Sequence, residues 1–167
     1  MYPNTDLIER FYSCFQSLDG DGMVQCYHEN IEFSDPIFQL LRGSKAANMW
    51  KMLCAKAKGF ELTFNDIQSD ETTGRAHWEA KYIFSTTGRS VHNKIDATFQ
   101  FQDGKIIQHQ DSFNFWKWSF MALGPVGLIL GWSPLIRNYV RKQASKNLEL
   151  FMATSDVENR GASPNQR

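Results

Sequence analysis

Residues 91–113, VHNKIDATFQFQDGKIIQHQDSF, alternate between apolar and polar side chains on both sides of the pair Asp103-Gly104. A period of two is typical of β-strands, and an Asp-Gly pair between two such runs is a strong signal for a hairpin turn. The stretch therefore predicts one strand at Val91–Gln102, a second at Lys105–Phe113, and a tight turn between them.

The pattern on either side of this hairpin predicts the rest of the fold. Upstream, a period of two begins at Phe60 and recurs at Arg75–Thr86, which predicts two more strands. Before Phe60, apolar residues recur every three or four positions, which predicts three helices interrupted by one short strand at Ile31–Asp35. Downstream, Phe115–Leu123 and a segment that begins at Ser133 are again helical in pattern. This order favours an α+β fold with helices on one face of a curved antiparallel sheet.

Length and composition favour a single folded domain. The chain has 167 residues, of which 42% are hydrophobic and 22% are charged, and both values are ordinary for a globular protein. We expect one domain over residues 1–155, with a core at 4–115, a helical extension at 116–155 and a disordered tail at 156–167. The formal net charge is zero, so we expect no nucleic-acid partner, which would require a basic excess.

The cysteines and the N-terminus bear on where the protein resides. Cys14, Cys26 and Cys54 are odd in number and lack a metal-binding spacing such as C-x-x-C. We expect them to be reduced thiols, and residues 1–6 lack the pattern of a signal peptide, so the sequence predicts a cytoplasmic protein. No cofactor and no metal ion is predicted.

The aromatic segment after the last strand, Phe113–Trp118, has three interpretations. Its side chains pack across the open end of the fold, cover a lipophilic ligand as a lid, or dock on a membrane surface. The next helix carries four basic residues: Arg137, Arg141, Lys142 and Lys146. These suit anionic lipid, although a solvated basic face is the commoner meaning. The apolar run Phe113–Trp132 is interrupted by a Lys and by Gly and Pro, so we predict no membrane-spanning helix.

Three stretches carry a resemblance to a known superfamily. Each places an Asp at a defined point of a strand or strand end: 18–36 with Asp35, 95–105 with Asp96, and 104–111 with Asp111. Together with the order of elements, they resemble the nuclear transport factor 2-like superfamily, which includes ketosteroid isomerase and the SnoaL-like polyketide cyclases. The resemblance covers residues 4 to 115 and implies a cone-shaped fold around an apolar pocket, wrapped by the N-terminal helices.

The resemblance also implies catalytic roles for the three aspartates. Asp35 takes the place of the isomerase's general base, and Asp96 takes that of a protonated Asp in its oxyanion hole. Asp111 takes the place of the acidic residue that SnoaL-like strands present to the cavity. Phe11 falls where the isomerase has a Tyr donor, and it cannot donate a hydrogen bond. A structural role remains open: Asp35 before Pro36 shapes a turn, or a strand Asp pairs with a nearby Lys or Arg.

The pocket is expected to be aromatic. The predicted ligand-binding residues are Phe11, Trp50, Trp78, Tyr82, Phe84, His109 and Phe113. If Asp96 faces the pocket, strand alternation puts Phe99 and Phe101 on the outer face of the sheet, where a second copy of the chain would cover them. We therefore expect a homodimer through the sheet face and a small hydrophobic ligand or substrate.

The resulting functional hypothesis is an isomerase or cyclase that transfers a proton next to a carbonyl group, with Asp35 as base and Asp96 as oxyanion donor. Two alternatives of the same fold stay open. One is a non-catalytic module that binds a small apolar ligand, and the other is a protein-interaction domain.

Overall fold

A curved six-stranded sheet is the central layer of the computed structural model, which describes residues 3–161. Its strands are β1 (Tyr27–Ser34), β2 (Leu41–Arg42), β3 (Glu61–Ser69), β4 (Thr73–Phe84), β5 (Arg89–Gln102) and β6 (Lys105–Ser112). Their spatial order is β2-β1-β6-β5-β4-β3. Neighbours run antiparallel except β1 and β6, which are parallel. The sequence predicted antiparallel pairing throughout, because hairpin signals report only strands that are adjacent in the chain.

The predicted hairpin forms between β5 and β6 at Asp103-Gly104. Both residues have positive φ, 53° and 70°. A tight two-residue turn requires this left-handed conformation, which Asp and Gly adopt more readily than other residues. The hairpin holds β6 beside β5, and β6 is therefore a central strand of the sheet.

Three N-terminal helices cover the inner face of the sheet and supply much of the core. They are α1 (Pro3–Gln16), α2 (Gly20–Gln25) and α3 (Ser44–Lys56). Spacing of three and four residues brings Ile8, Phe11 and Phe15 to one face of α1, and all three are buried. Asp19 caps α2 by accepting a hydrogen bond from the backbone N–H of Gly22 at 2.8 Å.

The C-terminal extension consists of three more helices. They are α4 (Phe115–Leu123), α5 (Pro125–Leu130) and α6 (Pro134–Gly161). α4 packs against β5, and α6 packs against α3. α6 continues past Asp156, where the sequence predicted a disordered tail to begin, and residues 162–167 of that tail lie outside the described residues. Within 3–161, no helix has the length and apolarity needed to cross a membrane.

The structure reverses the predicted orientation of β5. Ile95, Ala97 and Phe99 are buried on the inner face, whereas Asp96 and Thr98 are exposed on the outer face. The alternation itself is as predicted, but the apolar side turns toward the helices because their apolar faces need a partner surface. The outer face of this strand is therefore polar. It offers no apolar surface that a second copy of the chain would need to cover, as the predicted homodimer required.

Candidate functional site

A cavity of about 440 Å³ lies between the inner face of the sheet, the C-terminal half of α3 and one side of α6. Its volume is in the range of small-molecule binding sites. Five of the predicted ligand-binding residues line it: Trp50, Trp78, Tyr82, Phe84 and Phe113. Carboxyl, hydroxyl and amide groups interrupt this mostly apolar wall at a few points, and these groups define the chemistry that the cavity can support.

Asp35 stands in the cavity wall directly after β1. Its Oδ1 accepts hydrogen bonds from the backbone N–H groups of Ile37 and Phe38, the first at 2.7 Å, which fixes the carboxyl in the turn before α3. Burial, with a smaller contribution from the charge of the nearby Asp111, raises the pKa of Asp35 to about 7 against the lowering effect of the Phe38 N–H. Asp35 thus has both a structural bond and a carboxyl that titrates near neutral pH.

Asp111 enters the same cavity wall from β6. The parallel register pairs Phe33 of β1 with His109 of β6. Asp35 lies two residues after Phe33, and Asp111 lies two residues after His109. Residues two apart on a strand share a face, and this register therefore brings the two aspartates to neighbouring positions on the inner face. No local sequence pattern could reveal this neighbourhood, because it depends on the pairing of distant strands.

A chain of hydrogen bonds behind the wall holds Asp111 in place. Trp50 donates from Nε1 to the hydroxyl oxygen of Tyr27 at 2.7 Å, and that hydroxyl is 2.7 Å from Nδ1 of His109. Nε2 of His109 lies 2.9 Å from Oδ1 of Asp111, which also accepts from Trp78 Nε1 at 3.3 Å. His109 is completely buried and Asp111 nearly so.

The donors of this chain determine the tautomer of His109. An indole N–H only donates, so the Tyr27 oxygen accepts from Trp50. The Asp111 carboxylate only accepts, so a neutral His109 carries its proton on Nε2 and donates it to Asp111, and Nδ1 then accepts the Tyr27 O–H proton. Oδ1 of Asp111 therefore accepts two hydrogen bonds. Among residues 3–161, no group donates to its Oδ2, which leaves that oxygen for a ligand.

Two further polar side chains, Tyr82 and Asn93, line the cavity. Tyr82 was predicted as a ligand-binding residue without a role for its hydroxyl group, whose oxygen accepts from Trp118 Nε1 at 2.9 Å. Since the oxygen is the acceptor in that bond, the Tyr82 O–H proton is free to donate into the cavity. Asn93 is buried in the wall, and none of the described groups is hydrogen-bonded to its amide. The alternation of β5 placed Asn93 on one face with Ile95, which was the signal available in the sequence.

The structure overturns the assignment of Asp96 to the cavity. Its side chain is 81% exposed on the outer face of the sheet, where Oδ1 accepts a hydrogen bond from Nδ1 of His77 at 2.7 Å. Asp96 cannot contact a ligand on the inner face, because successive side chains of a strand point to opposite faces. The apolar neighbours Ile95 and Ala97 occupy the inner face instead.

Phe11 and His109 were predicted to line the cavity, but neither residue does so. Phe11 is fully buried in α1 and makes an edge contact with the His109 ring, whose centroid is 5.4 Å away. The Trp50 ring stacks nearly parallel to the imidazole, with the two ring centroids 5.8 Å apart. Both predicted residues therefore lie one layer behind the cavity, where they support Asp111 rather than a ligand. Among the residues that the structure describes, no group of three metal-ligating side chains is close enough to hold a metal ion.

More than half of the chain matches the model of a known protein family. A family model described as a SnoaL-like domain matches residues 8–109, from α1 to the middle of β6. The match includes Asp35 and ends just before Asp111. None of the curated proteins matches the chain significantly.

Solved structures share the fold at low sequence identity. An LEH-like epoxide hydrolase from M. tuberculosis is 19% identical with a TM-score of 0.62, over 77% of this chain and 96% of that one. A protein from a Silicibacter species, described as a candidate polyketide cyclase, is 21% identical with a TM-score of 0.60, over 68% and 90%. A Catenulispora acidiphila protein with a ketosteroid isomerase-like fold, in complex with trimethylamine, is 8% identical with a TM-score of 0.63, over 77% and 97%. At these identities the likeness shows the fold, which confirms the expected nuclear transport factor 2-like architecture.

Proposed function

The chain belongs to the SnoaL-like family, and from that premise we propose that it catalyses proton transfer next to a carbonyl group in a small lipophilic molecule, as an isomerase or a cyclase. One observation carries the proposal. Asp35 and Asp111 occupy neighbouring positions in the wall of a cavity that is otherwise mostly apolar. Carboxyl groups are costly to bury, so two of them in one apolar cavity point to chemistry rather than to packing.

Asp35 is the proton carrier in this proposal. With a pKa of about 7 it is populated in both protonation states at neutral pH, as a group that takes and returns a proton must be. The carboxylate removes a proton from the carbon next to the carbonyl, the substrate becomes an enolate, and the Asp35 carboxylic acid returns the proton at another carbon. No other reactant is consumed, because the proton that leaves is the proton that returns.

Asp111 is a fixed acceptor rather than the carrier. His109 and Trp78 hold its Oδ1, so Oδ2 is the oxygen that faces a ligand. The charge of Asp111 raises the pKa of Asp35 and so strengthens it as a base. A hydroxyl or ammonium group of a bound molecule would bind to Oδ2 and orient the molecule over Asp35.

Tyr82 takes the role of oxyanion donor that the sequence assigned to Asp96. Its O–H proton is free to donate because Trp118 supplies the hydrogen bond that the oxygen accepts. A developing enolate oxygen would accept this hydrogen bond in a cavity with few competing groups. Phe11 in the place of the isomerase Tyr is compatible with this arrangement, since the donor enters from β4 instead of α1.

The proposal is tested with a spectrophotometric assay of the conversion of β,γ-enones to α,β-enones on steroid and terpenoid ketones. Asp35→Asn should lower kcat by about 10²-fold or more, since Asn cannot accept the proton. Asp96→Asn is the matched control on the outer face, and it should retain wild-type turnover. In the wild type, kcat/KM should rise as the pH increases through about 7, where Asp35 loses its proton. Full activity of the Asp35→Asn variant would rule out the proposed base.

A non-catalytic binding module is the second candidate. Phe11 supports it, because this buried side chain replaces the Tyr that donates the hydrogen bond in the isomerase that the sequence resembles. In that case the same ketones would bind, with a saturable change in tryptophan fluorescence, and Asp35→Asn would alter their affinity without any turnover to lose.

A further inference from the structure

The outer surface of the α4–α5 hairpin and of the first turn of α6 is strongly apolar. Eight large apolar side chains are exposed there: Trp116, Phe120, Val126, Leu128, Ile129, Leu130, Trp132 and Leu135. Their exposed fractions are high, with 66% for Ile129, 71% for Trp132 and 80% for Leu135. We call these eight residues the hairpin surface. Contiguous exposed apolar side chains of this size mark a site of interaction, because scattered single residues are the usual case.

The hairpin surface is preformed rather than loose. Gly127 is buried against α4, and a Cβ atom at this position would overlap the backbone carbonyl of Ser119. The indole of Trp116 donates to the backbone oxygen of Leu128 at 3.0 Å, which ties α4 to α5 from the outside. The two short helices therefore pack at very close distance, and their outward side chains stay in one arrangement.

The charged residues of the segment that carries the hairpin surface are all of one sign. Between Asp111 and Glu149 the sequence contains no acidic residue, whereas it contains five basic ones: Lys117, Arg137, Arg141, Lys142 and Lys146. Arg141 is held by the backbone oxygen of Pro36, and the other four are exposed. Apolar side chains with basic neighbours, and with Trp among the exposed aromatic residues, have the composition of a surface that enters a lipid headgroup region.

A second copy of the chain fits this surface less well. A symmetric dimer brings the same patch of both chains together, so Lys117 and Arg137 of one copy would lie near the same cations of the other. Like charges at an interface oppose association. Anionic lipid headgroups supply the opposite charge, with a favourable contribution for each Lys or Arg near the surface.

We propose that the hairpin surface docks on a membrane that contains anionic lipid, with the apolar side chains inserted at the headgroup level. The cavity lies close to this surface. Leu123 at the end of α4 and Tyr139 on α6 both line it, and Thr87 beside the β4–β5 turn is bonded to the Ala122 carbonyl of α4 at 2.6 Å. A lipophilic molecule leaving the bilayer would therefore have a short path into the cavity. That path rests on the proposed function, whereas the docking itself does not.

The docking is tested by co-sedimentation of the full chain with vesicles. One set contains phosphatidylcholine alone, and the other contains phosphatidylcholine with phosphatidylserine. We expect binding to the anionic vesicles, weaker binding to the neutral ones, and a loss of affinity as salt is added. Tryptophan fluorescence should shift to shorter wavelength in the bound state, since Trp132 moves from water into the interface.

Variants separate the apolar and the charged contributions. Trp132→Ser and Leu135→Ser should each weaken binding about tenfold or more, because each removes a large exposed apolar side chain. Leu150→Ser is the matched control: Leu150 is 58% exposed on the same helix, ~22 Å farther along it, and its loss should change nothing. Lys117→Gln and Lys142→Gln should each weaken binding to anionic vesicles about fivefold and leave binding to neutral vesicles unchanged.

Three results would overturn the proposal. They are no vesicle binding by the wild type, an equal loss of binding in the Leu150→Ser control, and a concentration-dependent dimer that Trp132→Ser dissolves while vesicles are not bound. The last result would assign the hairpin surface to a second copy of the chain. Turnover of a water-soluble enone is independent of docking, so failure of the membrane proposal and failure of the proposed chemistry are distinguishable.

Discussion

Replacing Asp35 by Asn should stabilise the folded protein at neutral and alkaline pH and change little in acid. The side chains are nearly isosteric, and the Asn oxygen still accepts from the N–H groups of Ile37 and Phe38. What disappears is the ionisation of a carboxyl group in the cavity wall. Proteins often keep such a destabilising group because activity requires it, and its removal then raises stability while activity falls.

The magnitude follows from the pKa of Asp35, which is about 7 in the folded protein against an ordinary value of 3.8 for an aspartate. Below pH 4 the carboxyl is protonated in both states and contributes no penalty. As the pH rises toward 7 the unfolded chain releases this proton and the folded protein retains it, so the free energy of unfolding falls. The free energy of unfolding falls by about 1.4 kcal/mol for each pH unit, so the total loss is at most ~4 kcal/mol above pH 7.

Urea denaturation at a series of pH values between about 4 and 9 measures this difference. The wild type should lose stability relative to Asp35→Asn over the interval from about 4 to 7, and the two curves should run parallel above it. Glu61→Gln, at an exposed carboxyl on β3, is the control and should follow the wild type. Coincident curves for wild type and Asp35→Asn over the whole range would refute the assignment of a raised pKa to Asp35.

Three further substitutions test the hydrogen bonds that hold Asp111, the proposed oxyanion donor Tyr82, and the packing of α4 against α5. Tyr27→Phe leaves Nδ1 of His109 without its donor in a buried position, and urea denaturation should show a loss of about 1–3 kcal/mol; an unchanged midpoint would contradict the hydrogen-bond chain. Tyr82→Phe should lower kcat by up to ~10²-fold with little change in KM, and equal kcat would exclude Tyr82 as the oxyanion donor. Gly127→Ala forces a Cβ against Ser119, and thermal denaturation should show a loss of about 1–3 kcal/mol; an unchanged melting temperature would mean that α4 and α5 separate easily.

The sequence predicted only in part which side chains of a strand are buried. The alternation along β5 correctly divided Asp96 and Thr98 from Ile95 and Ala97. It did not decide which set faces the helices, because period two describes a strand and not its surroundings. The resemblance predicted that Asp96 faces the cavity. The hydrophobic effect instead buries Ile95 and Ala97 against the helices, so Asp96 lies on the outer face.

The sequence by itself determined the elements and their class. Periods of two and of three to four residues report local geometry, so together with the Asp-Gly signal they predicted the long strands, the Asp103-Gly104 turn and the described helices other than α5. The resemblance to the nuclear transport factor 2-like superfamily also implied that Asp35 and Asp111 face the cavity, and both line it.

Only the tertiary structure decided how these groups act on one another. The parallel pairing of β1 with β6 brings Asp35 beside Asp111, and α4 brings Trp118 to the hydroxyl of Tyr82. Burial in the cavity wall then raises the pKa of Asp35. These contacts join segments that are far apart in the chain, and they form because apolar faces are buried together, a condition of the whole fold that no local pattern contains.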